Sequence, residues 1–292
     1  MSITYTCSLF GYNRQVYYRR KKRVASRIEL ASEVVSLVQS VSNKMPKIGG
    51  KKLYHILALE LKELGVGRDR LFDILRANHL LIKPKRQYHK TTNSHHRFKK
   101  HKNLIEDVTP MRPEQIWVSD ITYIGTREHP QYLALVTDAY SKKIMGYNVS
   151  DSLSARGSMK ALKMALKNRR YKTQKLIHHS DRGLQYCSTG YQSILAKNEI
   201  KCSMTEQYDP YQNAVAERIN GILKQEFLIG IRVKDIDLMK RLVKESIAIY
   251  NAERPHLSCH YNTPNHMHGQ SKIKIKTYKR KRAEDLHPPL VL

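Results

Sequence analysis

Between residues 115 and 150 the chain runs through three stretches, QIWVSDITYIG, QYLALVTDAY and KKIMGYNVS, each rich in β-branched, aromatic and aliphatic residues. Short connections join them, and three such runs in succession predict an antiparallel meander. The pattern then alternates. ARGSMKALKMALKNRR places Met159, Leu162 and Leu166 on one side of a helix, KLIHHSD is a strand, 189–197 a helix, IKCSM a short strand, and a long helix starts near Asn213. A sheet that begins as a meander and continues through helix–strand alternation is mixed, with helices on its faces. The expected class is therefore α/β, or a layered α+β arrangement. A further helix is predicted over 234–250, its apolar side at Met239, Leu242, Ile249 and Tyr250.

Upstream the periodicity is helical. IELASEVVSLVQSV over 28–41 repeats at Leu30, Val34 and Leu37, and a break follows at 42–46. The next segment reads as two helices separated by LGVG, with Leu53, Leu57 and Leu61 marking the first and Leu71, Ile74 and Leu75 the second. Two short amphipathic helices around a glycine turn, the second opening with Arg68, Asp69 and Arg70, fit a helix-turn-helix; an ordinary helical hairpin fits them as well. Residues 83–103 are basic, polar and almost without aliphatic side chains, and Lys83, Lys85 and Arg86 open them. The expected organisation is a helical, helix-turn-helix-like region over 1–82, a basic linker over 83–110, a mixed-sheet core over 111–270 and a basic tail over 271–292.

Charge narrows the partners. The chain has 53 Lys and Arg against 25 Asp and Glu, a net +28, while 40% of its residues are apolar and available for a core. Residues 1–110 carry 23 basic and 8 acidic side chains, whereas 111–270 carry 23 and 15. A folded protein of this kind seeks a polyanion. No aromatic platform pattern accompanies the charge, which argues against an RNA-binding module. Cys7, Cys187, Cys202 and Cys259 form no pair at metal-binding spacing, and neither a zinc site nor a disulfide framework is expected. With no apolar run long enough to span a bilayer and no signal-peptide core, the expectation is a cytoplasmic protein without membrane contact.

Three acids stand where chemistry needs them. Asp120 interrupts WVSDITYI, a stretch that otherwise wants to be a buried strand, and a charge there must be ligated or paired. Asp181 ends KLIHHSD just before Gly183. Glu217 lies on NAVAERINGILKQEF, where Asn213, Glu217, Asn220 and Lys224 share one side and Val215, Ile219 and Ile222 another. Two strand carboxylates and one helix carboxylate suit a pair of Mg²⁺ or Mn²⁺ ions, because oxygen ligands favour hard cations over zinc. Asp138, in LVTDAY, competes for the site, although an acid at a strand end is more often a turn cap.

The segments WVSDITYI, YLALVTDAYSKKIMGY, LIHHSDRGLQY, NAVAERINGILKQE and IAIYNAERPHLSCHYNTP, in this order over roughly 115–265, closely resemble the OrfB-type catalytic subunit of bacterial insertion-sequence transposases. These belong to the retroviral-integrase-like group with a DDE triad on an RNase H-like fold. The chain departs from the common pattern at Cys259, where a leucine is frequent, and in YDPYQNA before the glutamate helix.

The resemblance implies a metal-dependent polynucleotidyl transferase with Asp120, Asp181 and Glu217 as catalytic and metal-binding residues. It implies 3′-end cleavage at the element's ends and then attack of the freed 3′-hydroxyl on target DNA. Asn213 and Lys224 match the glutamate's usual neighbours, with Lys224 a contact to the transposon end. With His179, Arg182, Arg68, Arg70, Lys83, Lys85 and Arg86 they form the candidate DNA contacts; for His178 and His179 strand packing is an equal reading. Double-stranded DNA, a homo-oligomer on DNA and an upstream helix-turn-helix and leucine-zipper protein, joined by frameshifting, are the implied partners. Two other readings stay open: an RNase H-like nuclease that never joins strands, and a non-catalytic DNA-binding derivative.

Overall fold

The computed structural model describes residues 2–82 and 101–276, apart from 107, 127, 207–212 and 230–232. It falls into two compact units, Met1–Arg86 and Gln87–Leu292.

The first unit is helical: α1 (Ile3–Leu9), α2 (Arg14–Lys44), α3 (Gly50–Ile56), α4 (Ala58–Glu63) and α5 (Arg68–Ala77). α2 begins 14 residues before the helix expected from the apolar pattern. Its first half has no apolar period to announce it, but Asn13 caps it by accepting from the Gln15 N–H at 2.8 Å. The buried stripe of α2 is Val34, Val38 and Val41, while Leu30 and Leu37 are half-buried. Leu53, Leu57 and Leu61 are all buried as expected, although the chain breaks at Leu57 into α3 and α4. The turn between α4 and α5 spans 64–67, and Gly65 there adopts φ 64°, a left-handed conformation open to glycine.

The second unit is built on a five-stranded sheet of order β3-β2-β1-β4-β5. Its strands are β1 (Ile116–Gly125), β2 (Pro130–Asp138), β3 (Ile144–Ser150), β4 (Ile177–Ser180) and β5 (Lys201–Met204). β1 to β3 form the antiparallel meander, and β4 and β5 add in parallel beside β1. This is the mixed, RNase H-like sheet that the resemblance implied. The helices are α6 (Ala155–Lys167), α7 (Leu184–Cys187), α8 (Thr189–Lys197), α9 (Ala214–Glu226), α10 (Ile236–Glu253) and α11 (Pro264–His268).

Strand parity divides the core. Trp117, Ala134, Val136 and Met145 pack with Ala161, Leu162 and Ala165 of α6 and with Tyr191 and Leu195 of α8. Ile116, Val118 and Ile177 pack on the opposite face with Val215 and Ala216 of α9. α6 lies so close to β3 that a Cβ at Gly146 would overlap the Ala161 carbonyl oxygen and stand 2.5 Å from the Ala165 nitrogen. On α10 the buried side is Met239, Val243, Ile247 and Tyr250; Leu242 is 37% exposed, so the apolar stripe sits about a residue away from the one expected. Among the described residues no helix is long and apolar enough to cross a membrane.

Candidate active site

Side chains alternate along a strand, so Asp120 shares the face of Ile116 and Val118, and Asp181, one residue past β4, shares the face of Ile177. Both carboxylates therefore point to the side covered by α9. Ser119 pairs with Ser180 across β1 and β4, which sets Asp120 and Asp181 in consecutive register on neighbouring strands. Asp181 Oδ1 accepts from the Gly183 N–H at 3.0 Å, and the turn is tight enough that a Cβ on Gly183 would meet that oxygen at 3.0 Å.

Asp120 is held twice. Oδ1 accepts from the Ile121 N–H at 2.8 Å and Oδ2 from Asn220 Nδ2 at 2.7 Å. Even so, burial and the nearby Asp181 carboxylate push its carboxyl up to about 7, with a smaller push from Glu217 against the pull of these two hydrogen bonds. Glu217 lies in the first turn of α9, exposed, with its carboxyl raised by partial burial. Lys224, two turns further on, is half-buried; burial lowers its ammonium and Asp120 draws it back up, so the two charges act on each other. Asn213, at the N-cap of α9, is buried and donates from Nδ2 to the Ser119 carbonyl at 3.1 Å, fixing the start of α9 to β1 beside Asp120.

Asp120 and Asp181 form a carboxylate pair whose repulsion a hard cation would relieve, and their oxygens are the donor type Mg²⁺ takes. The amide oxygens of Asn213 and Asn220 are buried and, among the described residues, have no hydrogen-bond partner. Glu217 reaches the pair through its field. Among the described residues no three His, Cys, Asp or Glu side chains are gathered to hold a metal ion together, so the structure brings two of the three expected ligands side by side and leaves the third at the rim.

Two family models describing an integrase core domain match residues 110–210 and 198–264. Over 256 residues the chain is 36% identical to an insertion element IS600 uncharacterized 31 kDa protein of Shigella sonnei, covering 86% of this chain and 92% of that one. It is 30% identical over 264 residues to the transposase InsF for insertion sequence IS3A of Escherichia coli (strain K12), covering 88% and 91%. The chain belongs to the IS3 family of insertion-sequence transposases. Similar solved structures include the HTLV-2 integrase catalytic core domain in complex with magnesium (18% identity, 54% of this chain and 97% of that one, TM-score 0.43). A simian T-cell lymphotropic virus intasome chain also matches (18%, 79% and 78%, TM-score 0.48).

The other candidate residues of this transposase are dispersed. His179 is fully enclosed and its Nδ1 lies 2.9 Å from Ser203 Oγ, so it packs the sheet and offers nothing to a phosphate. His178 is equally enclosed, its Nε2 between Ser119 Oγ at 2.7 Å and Tyr191 Oη at 2.8 Å, and burial with His179 alongside pushes it down to about 3. Both follow from β4 being an interior parallel strand covered on both faces. Asn213 is buried, its amide donating to the Ser119 carbonyl. Arg182 is half-buried. In the first unit Arg68 and Arg70 are exposed at the start of α5, with Arg68 paired to Asp69 at 2.7 Å. Lys83, Lys85 and Arg86 lie outside the described residues, as does the tail from 277.

Asp138 is the turn cap and not a site residue. Its carboxylate accepts from the Glu114 N–H at 2.8 Å and the Ser141 N–H at 2.9 Å, and it pairs with Trp117 near the start of β1, on the face of the sheet opposite Asp120. Sequence reasoning placed Asn220 beside Glu217 without giving it a role; its spacing of three from the glutamate was the available signal. Arg254 was missed. It is 1% exposed and bidentate to Glu226, at 2.8 Å from both Nε and Nη2, so it clamps the end of α9 to the end of α10. Only the family segment NAERPH marked it.

Proposed function

We propose that this transposase cuts the 3′ ends of its insertion element and joins the freed 3′-hydroxyls to target DNA, using Asp120, Asp181 and Glu217. The observation carrying this reading is the carboxylate pair: Asp120 on the central strand and Asp181 at the end of its parallel neighbour, with a helix glutamate whose charge acts on Asp120. Asp120 and Asp181 would hold divalent magnesium or manganese, with Glu217 completing the set. Bound there, two such ions would supply Lewis-acid activation of the attacking and leaving oxygens. Asn220 holds Asp120 and favours its ionised form, Asn213 fixes α9 over the sheet, and Lys224 brings a positive charge to the DNA end. In-line phosphoryl transfer needs no covalent enzyme intermediate, and no nucleophilic side chain is required of the chain.

Two element ends must meet, so the working form is an oligomer on DNA in the bacterial cytoplasm, together with or fused to an upstream DNA-recognition protein. The test is strand transfer of a labelled element-end duplex with an exposed 3′-hydroxyl into a supercoiled target, with Mg²⁺ or Mn²⁺. Joined product that disappears with Glu217→Gln and on chelation supports the reading. Undiminished joining by Glu217→Gln would show the triad assignment to be wrong, and nicking without joining would favour a nuclease.

A further inference from the structure

α2 is twice as long as its packing requires. Val34, Val38 and Val41 hold its second half in the first unit, whereas every described residue from 8 to 29 is exposed. This exposed half is highly charged. Residues 19–23 read Arg-Arg-Lys-Lys-Arg, Arg14 and Arg27 flank them, and no acid occurs in the sequence before Glu29. Among the described residues none of these cations pairs with an acid; Arg14 instead lies 5.5 Å over the Tyr18 ring.

The arrangement around the helix axis distinguishes this run from an ordinary solvated face. Successive residues turn by about 100°, so five consecutive cations encircle the helix where a solvated face would form a stripe on one side. Like charges at i and i+4, as at Arg19 with Arg23 and Arg23 with Arg27, destabilise a free helix. An environment with negative charge on both flanks removes that penalty. The major groove of duplex DNA is such an environment, about 12 Å wide with a phosphate row on each wall, and it admits one α-helix. The lead-in is ordered for such insertion: α1 turns through residues 10–13, with Gly11 at φ 67°, into a helix start capped by Asn13.

We propose that the exposed half of α2 is a duplex-DNA binding helix, seated in the major groove with residues 19–23 on the phosphates of both walls. The inference rests on the transposition reading for DNA as the polyanion, and it adds a contact separate from α5 and from the carboxylate site.

The experiment compares the full chain with a variant carrying Arg19→Gln, Arg20→Gln, Lys21→Gln, Lys22→Gln and Arg23→Gln. Glutamine keeps helix propensity and these side chains are exposed, so the fold is retained. Binding to a random-sequence DNA duplex of about three helical turns is followed by fluorescence anisotropy in EDTA, so that no chemistry is read, over salt from about 50 to 200 mM. The logarithmic salt slope should fall by about 0.9 for each phosphate that the variant leaves unneutralised, hence by as much as about 4.5. In the parent chain the amides of residues 14–28 should exchange more slowly on the duplex. A slope unchanged between parent and variant overturns the proposal and leaves the transposition reading standing, whereas failure of the parent chain to bind duplex at all overturns both. A deficit of the variant confined to anionic phospholipid vesicles, with duplex binding intact, would assign the helix to an acidic bilayer and also overturn it.

Discussion

Asn220 Nδ2 stands 2.7 Å from Asp120 Oδ2, so α9 touches the central carboxylate of the sheet through a neutral amide three residues beyond Glu217. An amide donor there favours the ionised form of a group that burial and Asp181 drive toward protonation. A hydrogen bond to a charged group is worth about 1.5–3 kcal/mol, which is the scale of the coupling between this helix and the site.

Asn220→Ala should therefore raise the Asp120 carboxyl beyond its present level and weaken Mn²⁺ binding near neutral pH by about tenfold or more. Binding should recover as the pH is raised, because the defect lies in ionisation and not in the ligand set. Mn²⁺ titration followed by electron paramagnetic resonance at several pH values reads this directly, and a loss independent of pH would count against it.

Asp120 also destabilises the metal-free protein. Its folded carboxyl, at about 7, lies above its unfolded value, so the folded state holds the proton more tightly. The penalty is absent below the unfolded value, grows as pH rises between the two, and is complete above about 7. Asp120→Asn is thus expected to raise the unfolding free energy at pH 8 without metal by an amount on the order of 2–4 kcal/mol after allowing for partial exposure, and Tm with it, with the gain gone near pH 4. Equal gains at both pH values would contradict the assignment.

The Arg254–Glu226 pair ties the far end of the site helix to α10, and both partners sit in little water, with side chains 2% and 13% exposed. Removing one partner of a buried pair leaves an uncompensated charge, so Arg254→Met should cost about 3–5 kcal/mol. Adding Glu226→Gln should return part of that loss, because the orphaned charge goes with it. Chemical denaturation of the parent, the two single variants and the double variant tests this, and additive losses would mean the pair is not coupled.

His268 lies between acids. Nε2 is 3.1 Å from Glu114 Oε1, and Nδ1 is 3.0 Å from Ser141 Oγ and 3.5 Å from Asp138 Oδ2. Burial disfavours its charge, but the hydrogen bonds to Asp138 and Glu114 outweigh it and raise the imidazolium above the ordinary histidine range. A raised folded value adds stability that is full below the unfolded value and lost as pH rises through the folded one. His268→Gln should consequently lower Tm more at pH 6 than at pH 9, and thermal melts showing the same loss at both would refute a charged His268.

Local signals carried much of the chain. Strand-forming runs marked β1, β2 and β3, because residues that fit a pleated, half-buried surface are poor turn and helix formers. Helical period placed Glu217 and Asn220 within one turn of each other. Period also failed in identifiable ways: the first half of α2 has no apolar stripe to detect, and the α10 stripe was misplaced because its packing against β3 and α11, and not its composition, selects Val243 and Ile247 over Leu242 and Ile249.

The rest depended on chain crossings that leave no local mark. Only the placing of β4 beside β1 sets Asp181 next to Asp120 and encloses His178 and His179. Amino-acid sequence determined which residues bear charge and which face of an element each occupies. Tertiary structure alone decided which faces meet, because a carboxylate acquires its neighbours, its burial and its proton affinity from segments distant in sequence.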